Sequence, residues 1–223
     1  MGTSKKQYDY ILFDLDGTIC DSGAGIAKAM QFALKEKGVV IDDYKELYQY
    51  AGPPLEESFP EAAPHFSEED ITDAIRLYRE YYDRQGWKEN KLYPLADWCL
   101  SNLRVEGFIL ATASSKPTKF VQRIADYFQI SSYFHHILGG NLETNRLKKA
   151  EVVADTLAMF DDIPELDKVV LVGDRKHDVE GGHLIGIDVI GVTFGYGGRE
   201  ELEEYGADYI VDSYEELLDL LIG

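Results

Sequence analysis

Tyr10-Ile11-Leu12-Phe13-Asp14-Leu15-Asp16-Gly17-Thr18-Ile19-Cys20-Asp21 is the stretch from which the fold can be read. The apolar tetrad Tyr10 to Phe13 reads as a buried strand that delivers Asp14 and Asp16 to its C-terminal end before Gly17 breaks it. In an open parallel sheet that edge is where ligands bind. Two carboxylates at i, i+2 beyond a strand can share one cation and divide two chemical roles. Taken alone, Asp-Leu-Asp-Gly also reads as a turn with solvated carboxylates. Three later motifs, in a fixed order, count against that plainer reading.

Working outward, the chain has 223 residues, of which 45% are hydrophobic. That is enough for a sizeable core in one domain with an insertion. No apolar run approaches the length that spans a bilayer, and Met1 to Asp9 is polar and does not resemble a signal peptide. Cys20 and Cys99 form no CxxC or Cys/His cluster, so no zinc site or disulfide framework is expected, and the default compartment is the reducing cytoplasm. With 22 basic residues against 41 acidic ones, the formal charge is −19. That disfavours a nucleic acid polymer or an anionic membrane as partner. It also repels phosphates at long range, so any phosphate site must be made attractive locally. The densest acids, Glu200 to Glu204, read as a solvated helix face.

Short apolar runs alternate with longer amphipathic ones. Strands are expected at Tyr10–Phe13, Phe108–Ala113, His136–Gly139, Val169–Val172, Val189–Val192 and Tyr209–Val211. Several are continuous rather than alternating, as in a parallel sheet covered on both faces. Helices are expected at Leu95–Glu106, Lys119–Phe128, Ala150–Phe160, Val179–Ile185 and Tyr214–Ile222, with Gly107, Gly186 and Gly206 at their ends. Residues 22–93 break this alternation. They carry helical patterns only, such as Ile26, Met30, Ala33 and Leu34, then Ile71, Ala74, Ile75, Tyr78 and Tyr82. The expected fold is therefore α/β, a doubly wound parallel sheet from residues 1–21 and 94–223 with a helical insertion at 22–93. Pro94 suits the first turn of the next core helix.

The second motif is Ala111-Thr112-Ala113-Ser114-Ser115-Lys116-Pro117, after a strand and before a helix. Hydroxyls and N–H groups at such a junction can hold phosphate oxygens, although Ser/Thr/Pro clusters also simply cap helices. The third is Arg146-Leu147-Lys148-Lys149-Ala150-Glu151 at a helix start. Adjacent helical lysines lie about 100° apart, so one of them points inward, or both belong to a charged surface. The fourth is Val169-Val170-Leu171-Val172-Gly173-Asp174-Arg175-Lys176-His177-Asp178, again a continuous apolar strand ending in a glycine and an acid. Asp174 can reach a metal at the sheet edge. Asp178 either contacts that metal or caps the next helix. Gly181 and Gly182 permit close packing or backbone approach.

Together these motifs resemble the haloacid dehalogenase superfamily of aspartate-nucleophile phosphatases. Asp14 to Thr18 is its Asp-x-Asp-Gly-Thr signature unaltered, Ser114 matches its Ser/Thr motif, Lys-Ala-Glu-Val places its lysine at Lys149, and Gly173 to Asp178 is its Gly-Asp-x-x-x-Asp motif. The resemblance spans residues 8 to 213, including Gly191 to Gly197 and Ala207 to Ile210, and leans toward the phosphoglycolate phosphatase and 5'-nucleotidase branches. It implies that residues 22–93 are a helical cap and that Gly52, Pro53 and Pro54 form a cap loop contacting substrate. Thr112, an extra hydroxyl, competes with Ser114 for the phosphate-binding role.

The implied chemistry uses Asp14 as nucleophile and Asp16 as general acid, then base, in hydrolysis of a phosphomonoester. Mg2+ is the implied cofactor, with Asp14, Asp16 through its backbone carbonyl, and Asp174 as ligands, and Asp178 as a direct or indirect one. Lys149 and Ser114 balance charge on the transferring group. Gly17 and Thr18 offer backbone N–H groups, and Ser115 and Lys116 contact substrate. The expected partner is a small phosphorylated metabolite, phosphoglycolate or a nucleoside monophosphate, and the expected assembly a monomer or homodimer. A sugar phosphomutase is the neighbouring enzyme alternative. A phospho-accepting receiver module is the non-enzyme one, although a receiver needs no inserted helices. Tyr44, Tyr48, Tyr50, Tyr78, Tyr81 and Tyr82 either stack on a base or form the core of the insertion.

Overall fold

The structure, a computed structural model, describes residues 8–223 other than 163. The polar N-terminal stretch lies, through residue 7, outside them. In chain order the elements are β1 (Tyr10–Phe13), β2 (Cys20–Asp21), α1 (Gly23–Glu36), α2 (Leu55–Ala62), α3 (Glu68–Arg84), β3 (Lys91–Leu92), α4 (Ala96–Val105), β4 (Ile109–Pro117), α5 (Thr118–Tyr127), β5 (His136–Gly140), α6 (Lys149–Leu157), β6 (Val169–Gly173), α7 (Lys176–Ile185), β7 (Asp188–Val192), α8 (Gly198–Glu204), β8 (Tyr209–Val211) and α9 (Tyr214–Ile222). They form two compact units. One comprises the described residues up to Ile19 with Leu92–Gly223, the other Cys20–Lys91.

The larger unit is a six-stranded parallel sheet of order β5-β4-β1-β6-β7-β8. The chain builds outward from β1 to β5 on one side, then returns and builds from β6 to β8 on the other. The strand order thus reverses at β1, and the crevice at such a reversal is where open α/β sheets hold ligands. Ile11, Leu12 and Phe13 are fully buried because β1 is central and covered on both faces. Val152, Val153 and Leu157 of α6 and Val179 of α7 join Leu12, Leu171 and Val189 in one core cluster. Gly107, Gly186 and Gly206 follow α4, α7 and α8 with positive φ, which ends each helix and returns the chain toward a strand. Among the described residues no helix is long and apolar enough to cross a membrane.

Two local expectations are corrected. Pro94 precedes α4 rather than opening it, because Leu95 takes a left-handed conformation (φ 69°) and the helix starts at Ala96. The strand expected to stop at Ala113 runs on to Pro117, with its register shifted between Ser114 and Pro117. Pro117 is extended at ψ 135° and α5 starts only at Thr118, so the hydroxyl cluster lengthens the strand instead of entering the helix.

The smaller unit is helical. α1 packs on α3, and α3 is started by a capping box in which Ser67 and Asp70 satisfy each other's backbone N–H groups. Tyr78 and Tyr82 are buried and stacked, with ring centroids 5.8 Å apart and planes 7° from parallel. This makes them core of this unit and unavailable to a nucleobase. Arg76 and Arg79 lie beside Asp73, Glu80 and Glu56 on its surface.

Candidate active site

β1 and β6 are neighbours in parallel register, Phe13 beside Val172, so the acids that follow each strand leave the sheet together. The Asp14 N–H donates to the Val172 carbonyl at 2.9 Å, which extends that pairing by one residue. Gly17 has φ +82°, and a Cβ there would lie 2.1 Å from Asp174 Oδ2. Only glycine lets the loop after β1 turn this tightly against the β6 acid. Asp174 is fully buried. Its Oδ2 accepts the Tyr196 N–H at 2.6 Å, and its Oδ1 faces the Thr18 hydroxyl at 3.4 Å. The Thr18 N–H, expected to be a phosphate donor, turns back to the Leu15 carbonyl, so its hydroxyl is the group that reaches the acids.

Asp178 caps α7 and also faces the cluster. Its Oδ2 accepts the N–H groups of Asp174 and Arg175, each at 3.1 Å, while its Oδ1 lies 2.7 Å from Lys149 Nζ. Lys149 is the first residue of α6. Its ammonium also lies 3.0 Å from Asp14 Oδ1 and donates to the Ala113 carbonyl at 2.9 Å. Lys148 sits at the N-cap with its N–H on Glu151, so Lys149 is the one of the pair that reaches the acids. A Cβ at position 181 would come within 2.6 Å of the Lys149 side chain. Gly181 on α7 therefore leaves the passage through which that side chain reaches Asp14. Gly181→Val is expected to cost about 1–3 kcal/mol through overpacking and to displace the ammonium. Thermal unfolding together with an activity assay checks this, and unchanged values in both would show that the passage is not needed.

The electrostatics follow from burial. Burial alone would pull the Lys149 pKa down, but the carboxylates of Asp14 and Asp178 outweigh it and hold the ammonium above the ordinary lysine range. Burial, then Asp178 and Asp14, push Asp174 well above the usual carboxylate range. Burial also raises Asp178, against the opposing pull of Lys149. Oxygens of Asp14, Asp174 and Asp178 lie within 4.8 Å of one another. Apart from the Lys149 ammonium, Oδ1 of Asp14 and Oδ1 of Asp178 have no partner among the described residues. The Lys149 ammonium contacts two of these three buried acids, Asp14 and Asp178, so the cluster holds more acid than counter-charge, and a donor set of oxygens alone fits a hard divalent cation.

The second motif supplies the opposite wall. Ser114 is buried, and its hydroxyl accepts the Lys116 N–H at 3.3 Å. The Thr112 hydroxyl instead donates to the Leu138 carbonyl and accepts the Leu138 N–H, both at 2.8 Å, so the sheet consumes it. Lys116 Nζ lies 2.5 Å from Asp16 Oδ2. Ser115 stands between Ser114 and Lys116 in the irregular end of β4. Gly52, Pro53 and Pro54 belong to the helical unit, where they lead into α2. Two contributors, Tyr196 and Glu201, were not foreseen, and a third, Gly181, was expected only to permit a close approach, without its partner. The Tyr196 N–H holds Asp174, Gly181 admits Lys149, and Glu201 accepts Arg175 Nε and the Lys176 N–H at 2.8 Å each, fixing the start of α7. Glu201 thus departs from the solvated face expected of residues 200–204. Only the Gly-Tyr-Gly and Gly-Gly pairs carried any signal for Tyr196 and Gly181, and a lone glutamate in an acidic run carried none.

The model of the family described as haloacid dehalogenase-like hydrolase matches residues 11–192. The chain is 35% identical over 194 residues to the tyrosine-protein kinase PtkA of Mycobacterium tuberculosis, a match taking in 87% of this chain and 65% of that protein. It therefore spans just under two thirds of that relative's length. It is 34% identical over 205 residues to a 5'-nucleotidase of Pseudomonas aeruginosa, with 92% of this chain and 91% of that protein covered. Among solved structures, a predicted phosphatase from Clostridium acetobutylicum superposes with a TM-score of 0.90 at 38% identity, over 97% of this chain and 99% of that one.

Proposed function

The chain belongs to the haloacid dehalogenase-like hydrolase family, and from that premise we propose that it is a Mg2+-dependent phosphomonoesterase, using Asp14 as nucleophile on a small phosphorylated metabolite. The observation that carries this reading is the Asp14 carboxylate at the C-terminal end of the central strand, 3.0 Å from the buried Lys149 ammonium and clustered with Asp174 and Asp178. A second acid, Asp16, lies two residues on.

In this reading an Asp14 oxygen bonds phosphorus in line while the bond to the leaving alkoxide breaks, and Asp16 gives that alkoxide a proton. In the second half Asp16 takes a proton from water as the water oxygen bonds phosphorus and the aspartyl-phosphate bond breaks. Lys149 and the Ser114 hydroxyl balance charge on the phosphoryl oxygens. Asp14, the Asp16 backbone carbonyl and Asp174 would hold Mg2+, with Asp178 beside them. When bound, the ion supplies Lewis-acid stabilisation of charge on the phosphoryl group.

Asp16→Asn is expected to lower turnover ~10²–10⁴-fold, most severely for alkyl esters, whose leaving groups need a proton. Equal losses on alkyl and nitrophenyl esters would remove Asp16 from the general-acid role. The direct test of the whole reading is phosphate release from an ester panel that includes phosphoglycolate and nucleoside monophosphates, with Mg2+ and then with EDTA. Release that stops with chelation and returns with Mg2+ supports it. No release from any ester, or full release in EDTA, overturns it. A need for a sugar bisphosphate activator would point instead to a mutase.

A further inference from the structure

Lys116 and Asp16 form a nearly buried ion pair at the end of β4. Its side chains are 7% and 14% exposed, and Nζ to Oδ2 is 2.5 Å. The other oxygen, Asp16 Oδ1, is buried and has no hydrogen-bond partner among the described residues. A buried polar atom without a partner calls for a cause, and a catalytic role is one of the few that proteins retain it for.

The pairing is built into the sheet. β4 lies beside β1 with Thr112 next to Phe13, and continuing that register past both strands brings the end of β4 alongside Asp16. The Lys116 N–H is held by the Ser114 hydroxyl, and β4 shifts register between Ser114 and Pro117, which frees Lys116 from regular pairing. A Cβ at position 139 of β5 would lie 2.1 Å from the Lys116 carbonyl oxygen, so Gly139 makes room for that backbone.

We propose that Lys116 is a positioning residue that clamps Asp16 by Oδ2 and leaves Oδ1 as the oxygen that exchanges protons with the leaving group and with water. This departs from the expectation that Lys116 contacts substrate, and it rests on the phosphomonoesterase reading above. In the first half-reaction Oδ1 carries the proton given to the departing alkoxide. In the second, Oδ1 accepts the proton of the attacking water while the Asp14–phosphorus bond breaks. Losing the clamp lets the carboxylate rotate, which harms proton transfer more than phosphate binding.

The test compares Lys116→Met and Lys116→Arg with the unaltered protein on an alkyl and a nitrophenyl phosphate, with Mg2+. Lys116→Met is expected to lower kcat on the alkyl ester by ~10-fold or more with a smaller change in KM, and to accumulate acid-stable phosphoprotein on the nitrophenyl ester. Lys116→Arg is expected to restore much of the alkyl-ester rate. The double variant with Asp16→Asn is expected to be no slower than Asp16→Asn alone. A uniform rise in KM on both esters, with kcat intact, would make Lys116 a substrate-binding residue and overturn the proposal. So would additive losses in the double variant. Should Lys116→Met fail to fold, Lys116→Gln carries the same comparison. If the unaltered protein releases no phosphate from either ester, the phosphomonoesterase reading itself has failed, and the clamp fails with it.

Discussion

Asp14→Asn protein is expected to fold and to release essentially no phosphate, at least ~10⁴-fold below the unaltered protein. Asn keeps the shape of the side chain, and its loss of charge relieves Asp174 and Asp178, both of which are pushed up in part by Asp14. Lys149 keeps Asp178 Oδ1 and the Ala113 carbonyl as partners, so the site does not collapse. In the proposed mechanism what is lost is the atom that bonds phosphorus, for which the site offers no substitute at the same place. Asp174 and Asp178 are held by the Tyr196, Arg175 and Asp174 N–H groups in positions set by α7 and its flanking loop. Rapid acid quench with a labelled ester supplies the second readout, a covalent phosphoprotein in the unaltered chain and none in the variant. Undiminished turnover in purified Asp14→Asn would refute covalent catalysis through this residue.

Lys149→Met is expected to cost both stability and turnover. The side chain is nearly inaccessible, 4% exposed, and lies between two carboxylates that are 12% and 2% exposed. Removing one partner of a buried ion pair leaves the others uncompensated, typically at about 3–5 kcal/mol. Here the remainder is three acids within 4.8 Å of one another, so the loss belongs at the upper end of that range. In the proposed reaction the lysine also balances charge that develops on the phosphoryl group, and loss of one such group costs ~10²–10³-fold in turnover. Urea unfolding and steady-state rates, each with and without Mg2+, separate the two effects. Added Mg2+ is expected to recover part of the stability and little of the rate. A variant as stable and as fast as the unaltered protein would show that the Lys149 ammonium is not the counter-charge of this cluster.

These two residues also show where sequence and structure divide the work. Alternation of continuous apolar runs with amphipathic ones was enough to place six parallel strands and the helical insertion. Burial on both faces demands such runs, and a run of that kind is visible locally. The acids at the ends of Tyr10–Phe13 and Val169–Val172 were legible for the same reason, since each follows its strand directly. Contacts between motifs were not legible. Whether Lys148 or Lys149 turns inward depends on α6 starting at Lys149 and on the missing Cβ at Gly181, more than thirty residues away. Thr112 and Ser114 were separated only by the neighbouring strand, because Leu138 occupies the Thr112 hydroxyl.

By itself, then, the order of residues determined the sheet and the strand ends that carry Asp14 and Asp174, because period and strand ends are properties of neighbours in the chain. Tertiary structure alone decided that Lys116 meets Asp16, that Glu201 fixes the start of α7, and that Tyr196 lends its N–H to Asp174. Those pairings depend on the register between strands and on backbone close enough to exclude a Cβ. Both arise only when segments distant along the chain pack against each other.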